Sequence, residues 1–206
     1  TGTGSAGTIA HGLGAVPKMI IVKDRSATNP WVIYHHDLGI QYYSMLNDTE
    51  ASLNNISNYW SDTAPSSTVF GINTSGGNNA DGDSFIAYCF ASVDGYSKFG
   101  SYTGNSNADG PFVYTGFRPA FVMIKNTNAT STGAAWFMYD NKRDPINVMT
   151  NELAANATTT EGGIDGGALM DFYSNGFKPR SNSYTNQASQ IYMAFAEQPF
   201  KYANAR

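Results

Sequence analysis

The strongest constraint on the fold of this chain is an internal repeat. Two stretches that begin at Thr1 and Thr103 stay in step at an offset of 102 residues, with identical pairs at Ala6 and Ala108, Gly14 and Gly116, Pro17 and Pro119, and Lys23 and Lys125. The echo continues at an offset of 105, where residues 31–34 match 136–139 and residues 88–91 match 193–196. Insertions in loops between strands produce such small changes of offset. Repeats of roughly 100 residues have the size of a small sandwich domain, so we predict two homologous units, residues 1–96 and residues 97–206 with a C-terminal tail.

Short apolar segments predict strands along the whole chain. They are rich in β-branched and aromatic residues, and Asn, Gly, Pro and Ser separate them. The predicted strands are residues 18–23, 31–35, 42–46, 69–72, 85–93 and 98–102, followed by residues 112–115, 121–125, 136–139, 146–149, 172–173 and 191–196. The only helix-like stretch is residues 151–157, which predicts at most a short turn. We therefore predict an all-β fold of two antiparallel, jelly-roll-like β-sandwich units in tandem. The alternative is one composite, concanavalin-like sandwich built from both halves.

The composition argues against several classes of partner. Charged residues make up 14% of the chain, the net charge is −4 and the pI is near 5.2, so no basic patch for nucleic acid or anionic lipid is expected. The longest apolar run, residues 85–91, is far too short to cross a bilayer. The single cysteine, Cys89, lies inside that run and is expected to be a buried small side chain.

The junction between the two predicted units suggests an unpaired sheet edge. Residues 98–102 lead directly into the second unit, and the corresponding strand of the first unit would precede Thr1. Residues 200–204 resemble residues 97–101 at an offset of 103. Since unprotected edges invite strand addition, our hypothesis is that the C-terminal segment fills the equivalent edge, in this chain or in a neighbouring copy.

Few residues are candidates for catalysis or metal binding. The histidines, His11, His35 and His36, are not repeated in the second half, and no nucleophile elbow, zinc-protease motif or P-loop is present. The candidate carboxylates for a glycosidase are Asp81, Asp83, Asp94, Asp165 and Asp171, and most of them stand beside Gly or Asn, where acids usually shape turns. We therefore expect no enzymatic activity, no catalytic residues, no metal site and no cofactor.

A polar aromatic loop is the candidate ligand site. Tyr59 and Trp60 stand between Asn58 and Asp62, and the loop has no copy in the second half. Aromatic rings stack on the faces of sugars, while amide and carboxylate groups bond their hydroxyls. The alternative is an aromatic loop that folds back on the sandwich. Trp31, by contrast, is repeated as Trp136, which favours a core role for both.

Four stretches resemble a repeated β-domain of structural proteins from tailed bacteriophages, especially marine ones. They are residues 11–23, 87–104, 109–120 and 174–178. The resemblance implies a virion component: the C-terminal module of a tail fibre, receptor-binding or surface-decorating protein at the virion surface. The neutral polar composition suits carbohydrate better than charged partners, so the expected ligand is a host glycan. The implied partners are other virion proteins and copies of the chain in a homo-oligomer. Two alternatives stay open: a purely structural, self-assembling subunit of a capsid, tail or filament, and, less favoured, a glycan-hydrolysing sandwich.

Overall fold

The chain folds into two compact units of antiparallel β-sheet. A computed structural model describes residues 1–54, 59–129, 134–164, 167 and 169–198. The units comprise Thr1–Ala91 and Ser92–Arg206. The prediction of an all-β, sandwich-like fold is confirmed, and none of the sheets is closed. In the described part of the chain, no helix is long and apolar enough to span a membrane.

The first unit contains a five-stranded and a two-stranded sheet. The five-stranded sheet has the order β5-β4-β3-β2-β7, and the other sheet pairs β1 with β6. The strand bounds are β1 Gly7–Ala10, β2 Met19–Asp24, β3 Val32–His35, β4 Tyr42–Met45, β5 Leu53–Asn54, β6 Val69–Ile72 and β7 Phe85–Phe90. A single helical turn, α1 Gly76–Asn79, precedes β7, and the Ser75 side chain caps its N-terminus.

The first core lies on one face of the five-stranded sheet. Alternate residues of a strand point to the same face, and here those residues meet apolar side chains of β6 and of the loop before it. The buried members are Ile20, Val22, Val32, Tyr34, Trp60, Phe70 and Ile72. This is the packing of a small sandwich, with one sheet much wider than the other.

The second unit has a five-stranded sheet of order β12-β11-β10-β15-β8 and a three-stranded sheet of order β13-β14-β9. The bounds are β8 Ser97–Thr103, β9 Val113–Tyr114, β10 Pro119–Asn126, β11 Trp136–Asp140, β12 Leu153–Ala154, β13 Met170–Tyr173, β14 Gly176–Pro179 and β15 Ser189–Ala196. A 3-10 turn at Tyr184–Asn186 precedes β15. Apolar side chains of both sheets form one core, which includes Val122, Ile124, Phe137, Phe172, Phe177 and Tyr192.

The strands with echoed sequences, β3, β2 and β7 in the first unit and β11, β10 and β15 in the second, occupy the same order in both units, and β4 and β12 take matching places beside them. The order is β4-β3-β2-β7 in the first unit and β12-β11-β10-β15 in the second. A side-chain bond accompanies this order: Trp31 N donates to Asn47 Oδ1 at 2.9 Å, and Trp136 N donates to Asn156 Oδ1 at 2.9 Å. The two sheets differ at their ends, because β5 extends the first and β8 extends the second.

The structure corrects the strand prediction at three places. Residues 146–149 do not form a strand, because the Asn147 side chain bonds the backbone N–H and C=O of Phe172 at 2.9 and 3.0 Å. The helix-like residues 151–157 contain β12, whose pairing with Phe137 and Met138 overrides a weak local helix propensity. The strand predicted at residues 85–93 ends at Phe90. β1, β5 and β14 were not predicted.

Candidate functional site

An open groove of about 660 Å³ lies on the first unit, beside the ends of β2 and β7. Three kinds of residue line it: aromatic or apolar side chains of the sheet, the loop after β2, and an amide from the loop after β4. The lining residues are Lys23, Asp24, Arg25, Ala27, Thr28, Asn29, Trp31, Asn47, Ile86 and Tyr88.

Two aromatic rings form the floor of the groove. Ile21 on β2 pairs with both Ile33 and Tyr88, so Trp31, two residues before Ile33, lies on the same face of the sheet as Tyr88. Their ring centroids are 6.4 Å apart with an interplanar angle of 21°, an offset stacked arrangement. Tyr88 is 42% exposed, and Trp31 is half-buried. We call this pair the Trp31–Tyr88 platform.

The loop after β2 forms one wall, and a lysine holds its shape. Lys23 Nζ donates to three backbone carbonyls, those of Asp24 at 2.7 Å, Ala27 at 3.1 Å and Asn29 at 2.8 Å. Three acceptors suit the three N–H bonds of an ammonium group. Lys23, the lysine repeated as Lys125 in the sequence, therefore stabilises the conformation of this loop.

A buried carboxylate fixes the same loop from the other side. Asp24 Oδ1 accepts bonds from the backbone N–H groups of Ser26 at 2.7 Å and Ala27 at 3.1 Å, and Oδ2 accepts from Asn29 Nδ2 at 2.8 Å. Burial opposes ionisation of Asp24, but these hydrogen bonds outweigh it and lower the pKa of its carboxyl. The ionised Asp24 carboxylate therefore stabilises the conformation of this loop.

Polar groups stand at the rim of the platform. Arg25, Thr28 and Asn47 are exposed, and the Asn47 side chain also anchors the backbone of Trp31. A flat aromatic floor with guanidinium, hydroxyl and amide groups at its rim suits a polar ligand that has an apolar face. A pyranose ring has this character, since its C–H groups stack on aromatics while its hydroxyls bond polar groups.

The second unit does not reproduce the platform. Its counterparts of Trp31 and Tyr88 are Trp136, which is 1% exposed, and Met193, which is 8% exposed. The expectation that Trp31 shares the core role of Trp136 is wrong, because Trp31 lines the groove. Sequence reasoning also missed Tyr88, although the change from methionine to tyrosine at a repeated position was a usable signal.

The structure does not place the predicted aromatic loop at an open surface. Trp60 is 1% exposed and packs edge-on against Tyr34 with the centroids 5.9 Å apart, so no ligand reaches its ring faces. Tyr59 is half-buried and lies 4.4 Å from the ring of Tyr43. Asp62 is exposed, and Asn58 lies outside the described residues. For Trp60 the structure therefore agrees with the alternative given above, in which the aromatic loop folds back on the sandwich.

Other chemical candidates are spread over the molecule. Asp81 and Asp94 are exposed, Asp83 is half-buried, and Asp165 lies outside the described residues. Asp171 is buried and accepts a bond from the Tyr173 hydroxyl at 2.9 Å.

One histidine cluster also has the atoms of a metal site. Among the described residues, His35, His36 and Asp37 bring their ligand atoms within 4.8 Å of one another. Asp37 N donates to His35 Nδ1 at 3.3 Å, and His36 Nδ1 lies 3.1 Å from Asp37 Oδ1, so both Nδ1 atoms are engaged within the turn. We therefore interpret these three side chains as part of the structure of the turn.

Comparison with known proteins identifies one protein family. A family model described as a domain of unknown function, DUF7483, matches residues 1–199. No curated protein and no solved structure matches the chain significantly.

Proposed function

The chain belongs to the DUF7483 family of domains of unknown function, and we propose that it is a non-enzymatic attachment or display module that binds a host glycan. The observation that carries the proposal is the Trp31–Tyr88 platform with its polar rim. The ligand is a sugar, because the groove offers stacking surface together with guanidinium, hydroxyl and amide groups. Its two nearest ammonium and carboxylate groups, Lys23 and Asp24, are occupied by loop bonds.

The architecture proposed for this function is a tandem of two homologous sandwich units. Matching strand orders and the paired Trp-Asn bonds support it. A second shared feature is a fully buried asparagine before β7 and before β15. Asn79 Nδ2 donates to Ser5 O at 2.7 Å, and Asn186 Nδ2 donates to Asn107 O at 2.6 Å. In this scheme, duplication supplied the scaffold and the first unit acquired the ligand site.

We place this module at the surface of a bacteriophage virion, as the end of a tail fibre or as a surface-decorating protein. The support is the resemblance of residues 11–23, 87–104 and 109–120 to repeated β-domains of phage structural proteins. A low charge content of 14% and exposed neutral polar loops suit contacts with carbohydrate and with other virion proteins.

The test is a glycan array followed by titration of the strongest ligand against the intact chain and the variants Trp31→Ala and Tyr88→Ala. An aromatic contact contributes about 0.5–1.5 kcal/mol beyond area burial, so each variant is expected to bind about 2- to 12-fold more weakly. Tyr114→Ala is the matched control, because Tyr114 is an exposed tyrosine of the second unit. Equal binding by all four proteins would remove the platform as the site.

A purely structural, self-assembling subunit is the second candidate function. The observation that favours it is strand β7, which ends the five-stranded sheet of the first unit and whose Ile86 and Tyr88 side chains are 36% and 42% exposed. An array without any bound glycan, combined with assembly of the chain into oligomers, would select this function over attachment.

A further inference from the structure

One cation of the groove is available to a ligand. Arg25 follows β2 directly, is exposed and lines the groove. In the described part of the chain, the ion pairs involve other side chains, and no carboxylate pairs with the Arg25 guanidinium. A guanidinium of this kind is suited to bind an anionic group of a ligand, because its planar N–H fork matches the geometry of a carboxylate.

The other two charged side chains that line the groove are occupied by its own loop. The Lys23 ammonium donates to three backbone carbonyls, and both carboxylate oxygens of Asp24 accept bonds from loop groups. Lys23 and Arg25 against Asp24 leave the groove with one net positive charge, in a chain whose net charge is −4. The charge that a ligand meets at the rim is therefore that of Arg25.

The rim offers mostly hydrogen-bond donors. The guanidinium of Arg25 has N–H groups and no acceptor. Asn47 Oδ1 already accepts a bond from Trp31 N at 2.9 Å, so the amide of Asn47 offers its NH₂ group. Thr28 can donate or accept through its hydroxyl. A carboxylate only accepts hydrogen bonds, and it therefore complements this rim better than a hydroxyl does.

Arg25 lies on the same face of the sheet as the Trp31–Tyr88 platform. Ile21 on β2 pairs with Tyr88. Arg25 N donates to Ser84 O at 2.8 Å, which continues the pairing of β2 with β7 beyond the last residue of β2. Because alternate residues of a strand share a face, Ile21 and Arg25 lie on the face that carries Tyr88.

The spacing along β2 sets Arg25 beside the platform. Val32 pairs with Val22 on β2. Trp31 therefore stands beside Lys23, one position further along the pair of strands. Arg25 is two residues beyond Lys23, and two residues of a strand span about 7 Å. A sugar ring stacked on the platform therefore has its substituents within reach of the Arg25 side chain.

We propose that the sugar bound by the platform carries a carboxylate, as a uronic or a sialic acid does, and that Arg25 binds this carboxylate. The inference rests on the proposed function, since it assumes that the platform stacks on a sugar. The two parts of the site then have different roles. The platform makes the contact that acidic and neutral sugars share, and Arg25 determines the preference for the acidic one.

The experiment compares sugars that differ only in the charged group. The probes are the methyl glycosides of glucuronic, galacturonic and sialic acid, each beside the form whose carboxylate is reduced to a primary alcohol. Binding to the intact chain is followed by NMR at the Trp31 indole signal. At least one acidic sugar is expected to bind about tenfold or more tightly than its reduced form, because hydrogen bonds to a charged group are strong. Added salt is expected to reduce this preference by screening the two charges.

A pair of variants separates a local contact from the overall charge. Arg25→Gln is expected to lower the affinity for the acidic sugar about tenfold and to leave the affinity for the reduced form unchanged. Lys142→Gln is the matched control, since Lys142 is an exposed cation of the second unit and its loss changes the net charge equally. It is expected to leave both affinities unchanged. Circular dichroism checks that both variants are folded.

The results distinguish this inference from the proposed function. Equal affinities for the acidic and reduced sugars, both weakened by Trp31→Ala, would overturn the role of Arg25 and leave the platform as the site. Equal losses in Arg25→Gln and Lys142→Gln would also overturn that role, as would an array on which every bound glycan is neutral. An absence of binding to any sugar, here and on the array, would overturn the proposed function and this inference with it.

Discussion

Trp60→Ala is expected to destabilise the protein strongly, because the structure places this side chain in the core. Trp60 is 1% exposed, contacts Tyr34 edge-on and belongs to the core cluster of the first unit. Truncation of a buried tryptophan costs about 3–5 kcal/mol, through lost burial and the cavity left behind. This is a large share of a total stability of about 5–15 kcal/mol.

Urea denaturation followed by circular dichroism measures the effect. With an m-value of about 2 kcal/mol per M, a loss of 4 kcal/mol lowers the midpoint by about 2 M. Trp31→Ala removes the same side chain from the half-buried platform, and we expect less than half of that shift. A Trp60→Ala protein with an unchanged midpoint and no glycan binding would refute the reasoning, because Trp60 would then be an exposed ligand contact.

Three further predictions concern the strands and the loop. Gly100→Ala is expected to cost about 1–3 kcal/mol in a denaturation curve, since its Cβ would lie 2.8 Å from the Tyr192 hydroxyl; an unchanged midpoint would contradict this packing. Burial raises the pKa of Cys89 from 9.0 to about 11, so its reaction with a thiol reagent at pH 8 should be about 100-fold slower than that of an ordinary thiol; an ordinary rate would show that the thiolate is not disfavoured. The depressed pKa of Asp24 means that its contribution to stability is present above the ordinary value of 3.8 and is lost as the pH falls through the lower folded value. Asp24→Asn should therefore lose less stability than the natural chain on acidification to below pH 3.8, and equal losses would contradict the assignment.

The sequence was informative about strands because their side chains carry a local signal. The runs at β2, β3, β6 and β7 combine branched and aromatic residues between turn residues, and they form the predicted strands. The signal failed where partners distant in sequence decide the outcome. Leu153 and Ala154 have helix-like neighbours but pair with β11, and Asn147 replaces backbone pairing with its side chain.

The candidate site was harder to predict, since exposure depends on what packs over a residue. Trp31 and Trp136 have matching local sequences and matching backbone bonds, yet one lines a groove and the other is buried. Trp60 lies in a polar loop whose sequence is typical of an exposed segment, yet its ring is buried in the core. Local composition does not contain this information, which comes from the tertiary arrangement.

The most direct test of the proposed function is to locate a bound glycan on the protein by NMR. The chain is titrated with the best ligand from the array, and the Trp indole and Tyr ring signals are followed. We predict shifts at Trp31 and Tyr88 that saturate together, with Trp60 and Tyr114 unchanged. Saturable shifts at Trp60 and Tyr59 with none at Trp31 would contradict the account.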